Sequence, residues 1–262
     1  MFVANGFYRN RTEFKREHVI YNTYAKFPKV ERYVGVSKLV RHRNNILIHM
    51  PYIRETTRHA ENVWCDYDKE LMKQAVEARW NPFDQAPIRD IAELFHVMRR
   101  VVNSDPSRKQ AIRTLLAKHD RLIVFYNFDY ELEMLRELQV ELIEDDTAIK
   151  YAEWNGHKHE DIPSGSKWVY VVQYIAGAEG WNCVTTNAVA FWSLTYSYKL
   201  WEQAHGRIDR LNTKYTNLYY YTLRSKADID WAIWRSLKSK KTFQTAHFDM
   251  DNSQFANFVV EK

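Results

Sequence analysis

"RLIVFYNFDYELEMLREL", residues 121–138, decides the fold. Its first half is an apolar run of strand length, and its second half has helical periodicity behind Asp129, a residue suited to cap a helix. The same alternation continues downstream. "KWVYVVQYI" (167–175), "NAVAFWSL" (187–194) and "NLYYYTLR" (217–224) are β-rich, whereas "YSYKLWEQAHGRIDRL" (196–211) reads as helix. "ADIDWAIWRSLKSKK" (227–241) reads as a further helix, introduced by Ser225 with Asp228 three residues on. Near-continuous apolar strands separated by helices predict an α/β domain with a parallel sheet and helices on both faces.

Upstream the pattern changes. "TEFKREHVIYNTYAKF", "DYDKELMKQAVEARW" and "PIRDIAELFHVMRR" read as helices, with one extended stretch at "AENVWCDY" (60–67) and a break at Asp105-Pro106. The predicted division is a mainly helical segment over 1–104, the α/β domain over 105–245 and a tail over 246–262.

Composition bounds the function classes. The chain has 262 residues, 45% of them hydrophobic, enough for one large core or two small ones. Thirty-eight Lys and Arg against 33 Asp and Glu give a formal +5, which permits an anionic partner without specifying one. Cys65 and Cys183 match neither zinc nor redox spacing, so a reducing compartment is expected. "HKHED" (157–161) has metal-ligand residue types but no third well-spaced partner, and no metal site is expected. No apolar run suits a bilayer or a signal peptide, so the expectation is a cytoplasmic protein with no membrane partner.

The chemistry concentrates in "WEQAHGRIDRLNT", residues 201–213. On a continuous helix Gln203, Arg207 and Arg210 would project from one face. Such a face suits a solvated, salt-bridged surface, or a clamp for an anion, since the guanidinium fork matches phosphate oxygens. Gly206 beside Arg207 costs a helix about 1 kcal/mol and leaves room for close approach. "AGAEGWNC" (176–183) follows a predicted strand directly, where sheets of this class bind ligands. Most of the tryptophans and tyrosines lie on periodic apolar faces and are assigned to the core, with Trp181 and Trp201, beside the motifs, as exceptions to test. His205 reads as a surface or packed histidine.

"QAHGRIDRLN" resembles motif VI of superfamily-2 helicases and DNA translocases, most closely the Swi/Snf-type branch, and "AGAEGWN" resembles its motif V. "RLIVFYNFDYELEML" is similar to motif IV, and "YAEWNGHKHED" occupies the place of the segment that follows it. The style is that of bacteriophage versions. The resemblance implies a RecA-like second lobe, with Arg210 as arginine finger, Arg207 as a further γ-phosphate contact, and Gln203 completing the motif. Gly177, Gly180 and Asn182 would couple nucleotide state to the DNA strand, with Tyr174 and Trp181 as candidate DNA contacts; Tyr174 stands where the family has Thr or Ser. ATP and Mg²⁺ are the implied cofactors.

No GxxxxGK[ST] occurs in the sequence, so the loop that cradles the phosphates is missing. The resemblance therefore implies half of a motor whose N-terminal lobe, in the same or another polypeptide, holds the nucleotide. Its implied role is phage DNA replication or recombination. The rival reading is a nucleic-acid-binding adaptor that keeps a helicase fold without catalysis.

Overall fold

The computed structural model describes residues 2–22, 27–47, 55–178 and 181–240. The chain divides into two compact units, residues 1–54 and 55–262. The first unit contains α1 (Arg11–His18), β1 (Val19–Asn22), β2 (Lys29–Tyr33) and α2 (Val36–Ile46). Asn10 caps α1 by accepting from the Glu13 amide at 2.9 Å. The helix stops at His18 rather than running through "VIYNTYAKF": Val19 and Ile20 are β-branched, and Val19–Asn22 pairs antiparallel with Lys29–Tyr33.

The second unit contains β3 (Thr57–Trp64), α3 (Lys69–Val76), β4 (Trp80–Asn81), β5 (Ala86–Pro87), α4 (Ile91–Asn103), α5 (Ser107–Lys118), β6 (Arg121–Tyr126) and α6 (Asp129–Asp145). After these come β7 (Lys150–Trp154), β8 (Trp168–Gln173), a 3₁₀ turn (Ala176–Ala178), β9 (Ala188–Phe191), α7 (Tyr198–His205), β10 (Asn217–Arg224) and α8 (Asp228–Lys238). Six strands form one sheet in the order β3-β10-β9-β6-β8-β7, and every neighbouring pair is parallel.

Helices cover both faces, as predicted. Ile123, Phe125, Val172 and Phe191 face a core shared with α4, α7 and α8. Leu122, Val124, Val171 and Ala190 face a core shared with α5 and α6. Alternation of side chains along each strand produces the two cores, and burial on both faces makes the central strands apolar throughout.

The boundary differs from the expected one at 105, because the sheet already includes β3 and the unit begins at Glu55. The reason for the misreading is chemical. β3, "TRHAENVW", is an edge strand with five exposed residues of eight, so it lacks the apolar run that marks the central strands. Helices α3 and α4 pack on the same core and belong to this unit. The predicted tail, 246–262, lies outside the described residues.

Two helix starts also differ from expectation. α6 begins one residue after Phe128, and it is Glu131 that accepts from the Asn127 amide at 2.8 Å, so Asp129 is not the cap. At α8 the cap is Ala227, and Ser225 pairs with Asp230 rather than Asp228, its amide and hydroxyl donating to one carboxylate oxygen at 2.7 and 3.0 Å.

Arg108, on α5, is fully buried and ties this unit together. Its Nε donates to the Val102 carbonyl at 3.0 Å, at the end of α4, and Nη1 donates to the carbonyls of Trp192 and, at 3.2 Å, Leu223. Nη2 lies 3.5 Å from the Asp230 carboxylate in the first turn of α8. Removing one partner of a buried pair leaves the other charge uncompensated. Arg108→Met is therefore expected to lower stability by about 3–5 kcal/mol, read as a shift in urea midpoint at unchanged m-value; a loss under 1 kcal/mol contradicts this role.

Candidate functional site

The motif residues do not share a helix face. α7 ends at His205, and the chain turns through Gly206–Ile208, with the Arg207 amide donating to the Ala204 carbonyl at 3.2 Å. Gly206 sits at φ −71°, an ordinary right-handed value, and a Cβ there meets the Gln203 and Glu202 carbonyl oxygens at 3.4 and 3.6 Å, ordinary contacts. Neither conformation nor space demands glycine; its poor helix propensity helps the helix stop.

The helix also carries the motif away from the carboxyl edge of the sheet. α7 starts at the carboxyl ends of the strands and runs back about 12 Å at 1.5 Å per residue. "GRIDR" consequently lies beside the amino ends. Asp209, its carboxylate almost fully buried, accepts from the Thr56 hydroxyl at 2.8 Å and from Arg58 Nε at 2.7 Å, at the start of β3.

On its other side the segment is tied to residues 181–183. Arg207 Nη1 donates to the Trp181 carbonyl at 2.9 Å, and the Cys183 amide donates to the Arg207 carbonyl at 3.0 Å. The Arg207 guanidinium lies 5.7 Å from the Trp181 ring centre, and the residue is only 6% exposed. The structure thus joins the two motifs seen in the sequence, but it uses Arg207 as the tie rather than as an open phosphate contact. Ile208 is buried in the core beneath. Arg210 and Gln203 are half-buried. Arg210 Nε and Gln203 Oε1 are each buried without a hydrogen-bond partner among the described residues.

Gly177 lies in the 3₁₀ turn after β8, pressed onto the sheet: a Cβ there falls 2.3 Å from Val172 Cγ1 and 3.3 Å from the Phe125 ring. Close packing, rather than a left-handed backbone, requires glycine. Gly180 lies outside the described residues, and Asn182 is exposed. Trp181 is 9% exposed, stacked on Phe125 and edge-on to Tyr170, and Trp201 packs on Phe191, so both are core aromatics.

Tyr174 is not a surface contact. It is 1% exposed, and its hydroxyl donates to the Ser193 carbonyl at 3.1 Å. Burial pushes its pKa well above the usual tyrosine value. The Tyr174 ring packs on Phe125 and Phe191 in the core.

His205 is packed rather than catalytic. Its ring contacts Phe191, Trp201 and Tyr220, and Nδ1 donates to the Trp201 carbonyl at 2.8 Å. Burial lowers its pKa to about 4, against a smaller opposing effect from the Trp201 hydrogen bond, so the ring is neutral at pH 7. In "HKHED" the His159 ring lies 4.6 Å from that of Trp154, and Glu160 accepts from the Glu153 amide at 2.8 Å. Among the described residues no group of His, Cys, Asp and Glu gathers that can hold a metal, and no helix is long and apolar enough to cross a membrane.

Two features at the carboxyl edge escaped the sequence reading. Glu131 is fully buried and accepts from Asn103 Nδ2 at 2.8 Å and the Ser193 hydroxyl at 2.9 Å; burial raises its pKa. The signal was there, an acidic residue at the third position of a helix. Beside it, Arg99 is sandwiched 4.7 Å from Phe128 and 4.6 Å from Tyr196, on the wall of a cavity of about 410 Å³. No sequence signal marks this cavity, because α4, the turn after β6 and the loop after β9 meet there only in three dimensions.

Neither a protein-family model nor a curated protein matches the chain. Among solved structures, the chain is similar to one titled "Crystal structure of the C-terminal part of Fun30 ATPase domain". The match has a TM-score of 0.53 and 13% identity, covering 74% of this chain and 93% of that one. The likeness is one of fold. This chain has a RecA-like α/β fold.

Two outcomes follow. Gly177→Ala must displace Val172 or the turn and is expected to cost about 1–3 kcal/mol, measured by chemical denaturation; an unchanged midpoint contradicts the close-packing role. For His205, the folded pKa lies below the unfolded value near 6.5, so its stabilisation is full above pH 6.5 and is lost as pH falls toward 4. His205→Phe is expected to reduce the pH dependence of stability in that window by up to about 1.4 kcal/mol per pH unit. Identical slopes in both proteins would sink the assignment.

Proposed function

We propose that this chain is the second lobe of an ATP-dependent DNA helicase or translocase, with Arg210 as its arginine finger. The observation that carries the reading is the double tie on "GRIDR". Arg207 is held by the Trp181 carbonyl and Asp209 by Thr56 and Arg58, so the backbone leading into Arg210 is held on both sides. No carboxylate pairs with Arg210 among the described residues, which leaves its charge for a ligand. A preorganised guanidinium stabilises charge that develops on a phosphoryl group.

The polar atoms suit ATP. Gln203 Oε1 accepts from an amino or hydroxyl group of the nucleotide, and Arg210 donates to phosphate oxygens. Bound ATP with Mg²⁺ supplies the phosphoryl group and its leaving group. The chain's own part is to neutralise charge and to orient. Arg207 acts as a positioning residue, in revision of the γ-phosphate contact. Gly177 and the exposed Asn182 flank the tied segment and are assigned to coupling nucleotide state to DNA. An N-terminal lobe, in the same or a separate polypeptide, supplies the phosphate cradle that this sequence lacks. A place in phage replication or recombination rests on the sequence resemblance alone.

The test is DNA-stimulated ATP hydrolysis by the chain alone and joined to a lobe bearing GxxxxGK[ST]. The chain alone is expected to be silent. In the joined protein Arg210→Ala should keep DNA binding and thermal stability while turnover falls at least about a hundredfold, whereas Arg207→Ala should also lower the melting temperature. Turnover by the chain alone overturns the reading. An inert joined protein that still binds DNA favours the adaptor.

A further inference from the structure

The positive charge is not spread along the chain. Residues 1–54 carry eleven Lys and Arg against three Asp and Glu, a formal +8, while the other 208 residues carry 27 against 30, a formal −3. The whole excess therefore belongs to the small first unit. Its nine described Lys and Arg are all exposed, and among them only Lys38 sits against a carboxylate, that of Glu17. In the second unit many cations are paired, as in Arg136 with Glu153, Lys109 and Arg113 with Glu141, and Lys167 with Asp146. Uncompensated charge at this density repels itself and favours an anionic partner.

The unit presents these charges on a built scaffold. The Tyr8 hydroxyl donates to His18 Nε2 at 2.5 Å, and His18 Nδ1 donates to the Val34 carbonyl at 2.8 Å, joining α1 to the segment between β2 and α2. Arg11 and Lys15 lie one turn apart on α1 and share a face. All five residues of β2 are exposed. A register shift within β2 places Lys29 and Arg32 on one side of that strand and Tyr33 on the other. Aromatic side chains stand out among the cations: Tyr33 is 53% exposed and Phe27, just before β2, 75%.

We infer that α1, β2 and α2, with the described residues beside them, form a binding surface for single-stranded nucleic acid. Cations of α1, β2 and α2 meet the phosphates, and Tyr33 and Phe27 offer rings on which bases stack. A purely electrostatic surface needs no exposed aromatics, and stacking on them requires unpaired bases. The inference stands apart from the arginine-finger reading, because it concerns other residues and needs neither nucleotide nor a second lobe.

The test uses the full chain and a labelled 20-nucleotide single-stranded DNA, titrated by fluorescence anisotropy across a salt series. The variant Arg11→Gln/Lys15→Gln/Arg32→Gln/Arg41→Gln is expected to reduce the slope of log K against log salt by about 3. Lys69→Gln/Lys73→Gln/Lys118→Gln/Lys214→Gln, the same charge change in the second unit, should leave the slope unchanged. Tyr33→Ala should weaken binding roughly tenfold at every salt concentration without altering the slope. Should the first variant cease to fold, judged by circular dichroism, Lys29→Gln/Arg32→Gln serves instead, with a slope reduction of about 1.4. An unchanged slope in the folded variants overturns the inference. So does equal loss in the second-unit control, or binding to phosphatidylserine vesicles without binding to the oligonucleotide. ATP turnover is not read, so failure here leaves the finger assignment untouched.

Discussion

The second unit depends on a single buried guanidinium. Arg108 reaches from α5 to the carbonyls of Val102, Trp192 and Leu223 and to the Asp230 carboxylate. Those groups mark the end of α4, the ends of two adjacent strands and the first turn of α8, where Arg108 gives buried carbonyls a donor and the Asp230 carboxylate a counter-charge beside its Ser225 hydrogen bonds. Glu131 is its counterpart at the same edge, taking donors from Asn127, Asn103 and Ser193. One positive and one negative buried group close the carboxyl edge of the sheet, and together they fix where the chain turns into α6 and toward α7.

That edge determines the other. Ser197 caps α7 by accepting from the Leu200 amide, and eight helical residues return the chain to the amino ends of the strands. There Arg207 and Asp209 tie "GRIDR" between residues 181–183 and the start of β3. The neutral His205 ring packs on Tyr220 and adds no charge beside the arginines. A segment anchored on both sides by buried polar contacts has little freedom, which is the property an electrostatic catalyst needs.

Much of this was legible in the linear chain. Central parallel strands are buried on both faces, so "LIVFY" and "WVYVV" declare themselves without reference to any partner. Residues 176–183 and 201–213 stood out as two segments, and the structure brings Arg207 and residues 181–183 into contact, though not on the single helix face expected for Gln203, Arg207 and Arg210. The misreadings share a cause. β3 is polar because it is an edge strand, Tyr174 offered a hydroxyl that the core takes up, and α7 was carried past Gly206 by a pattern that continues after the helix has ended.

The sequence by itself determined the α/β alternation, the two-faced core, the candidate arginines and the concentration of positive charge before residue 55. These are local, since periodicity, propensity and charge are written residue by residue. Only the tertiary structure decided that Arg207 ties while Arg210 Nε is buried without a hydrogen-bond partner among the described residues, and that Asp209 is held from β3. Thr56 and Asp209 lie 153 positions apart in the chain. No local pattern encodes such a contact; it exists because a parallel sheet brings its first and last strands side by side.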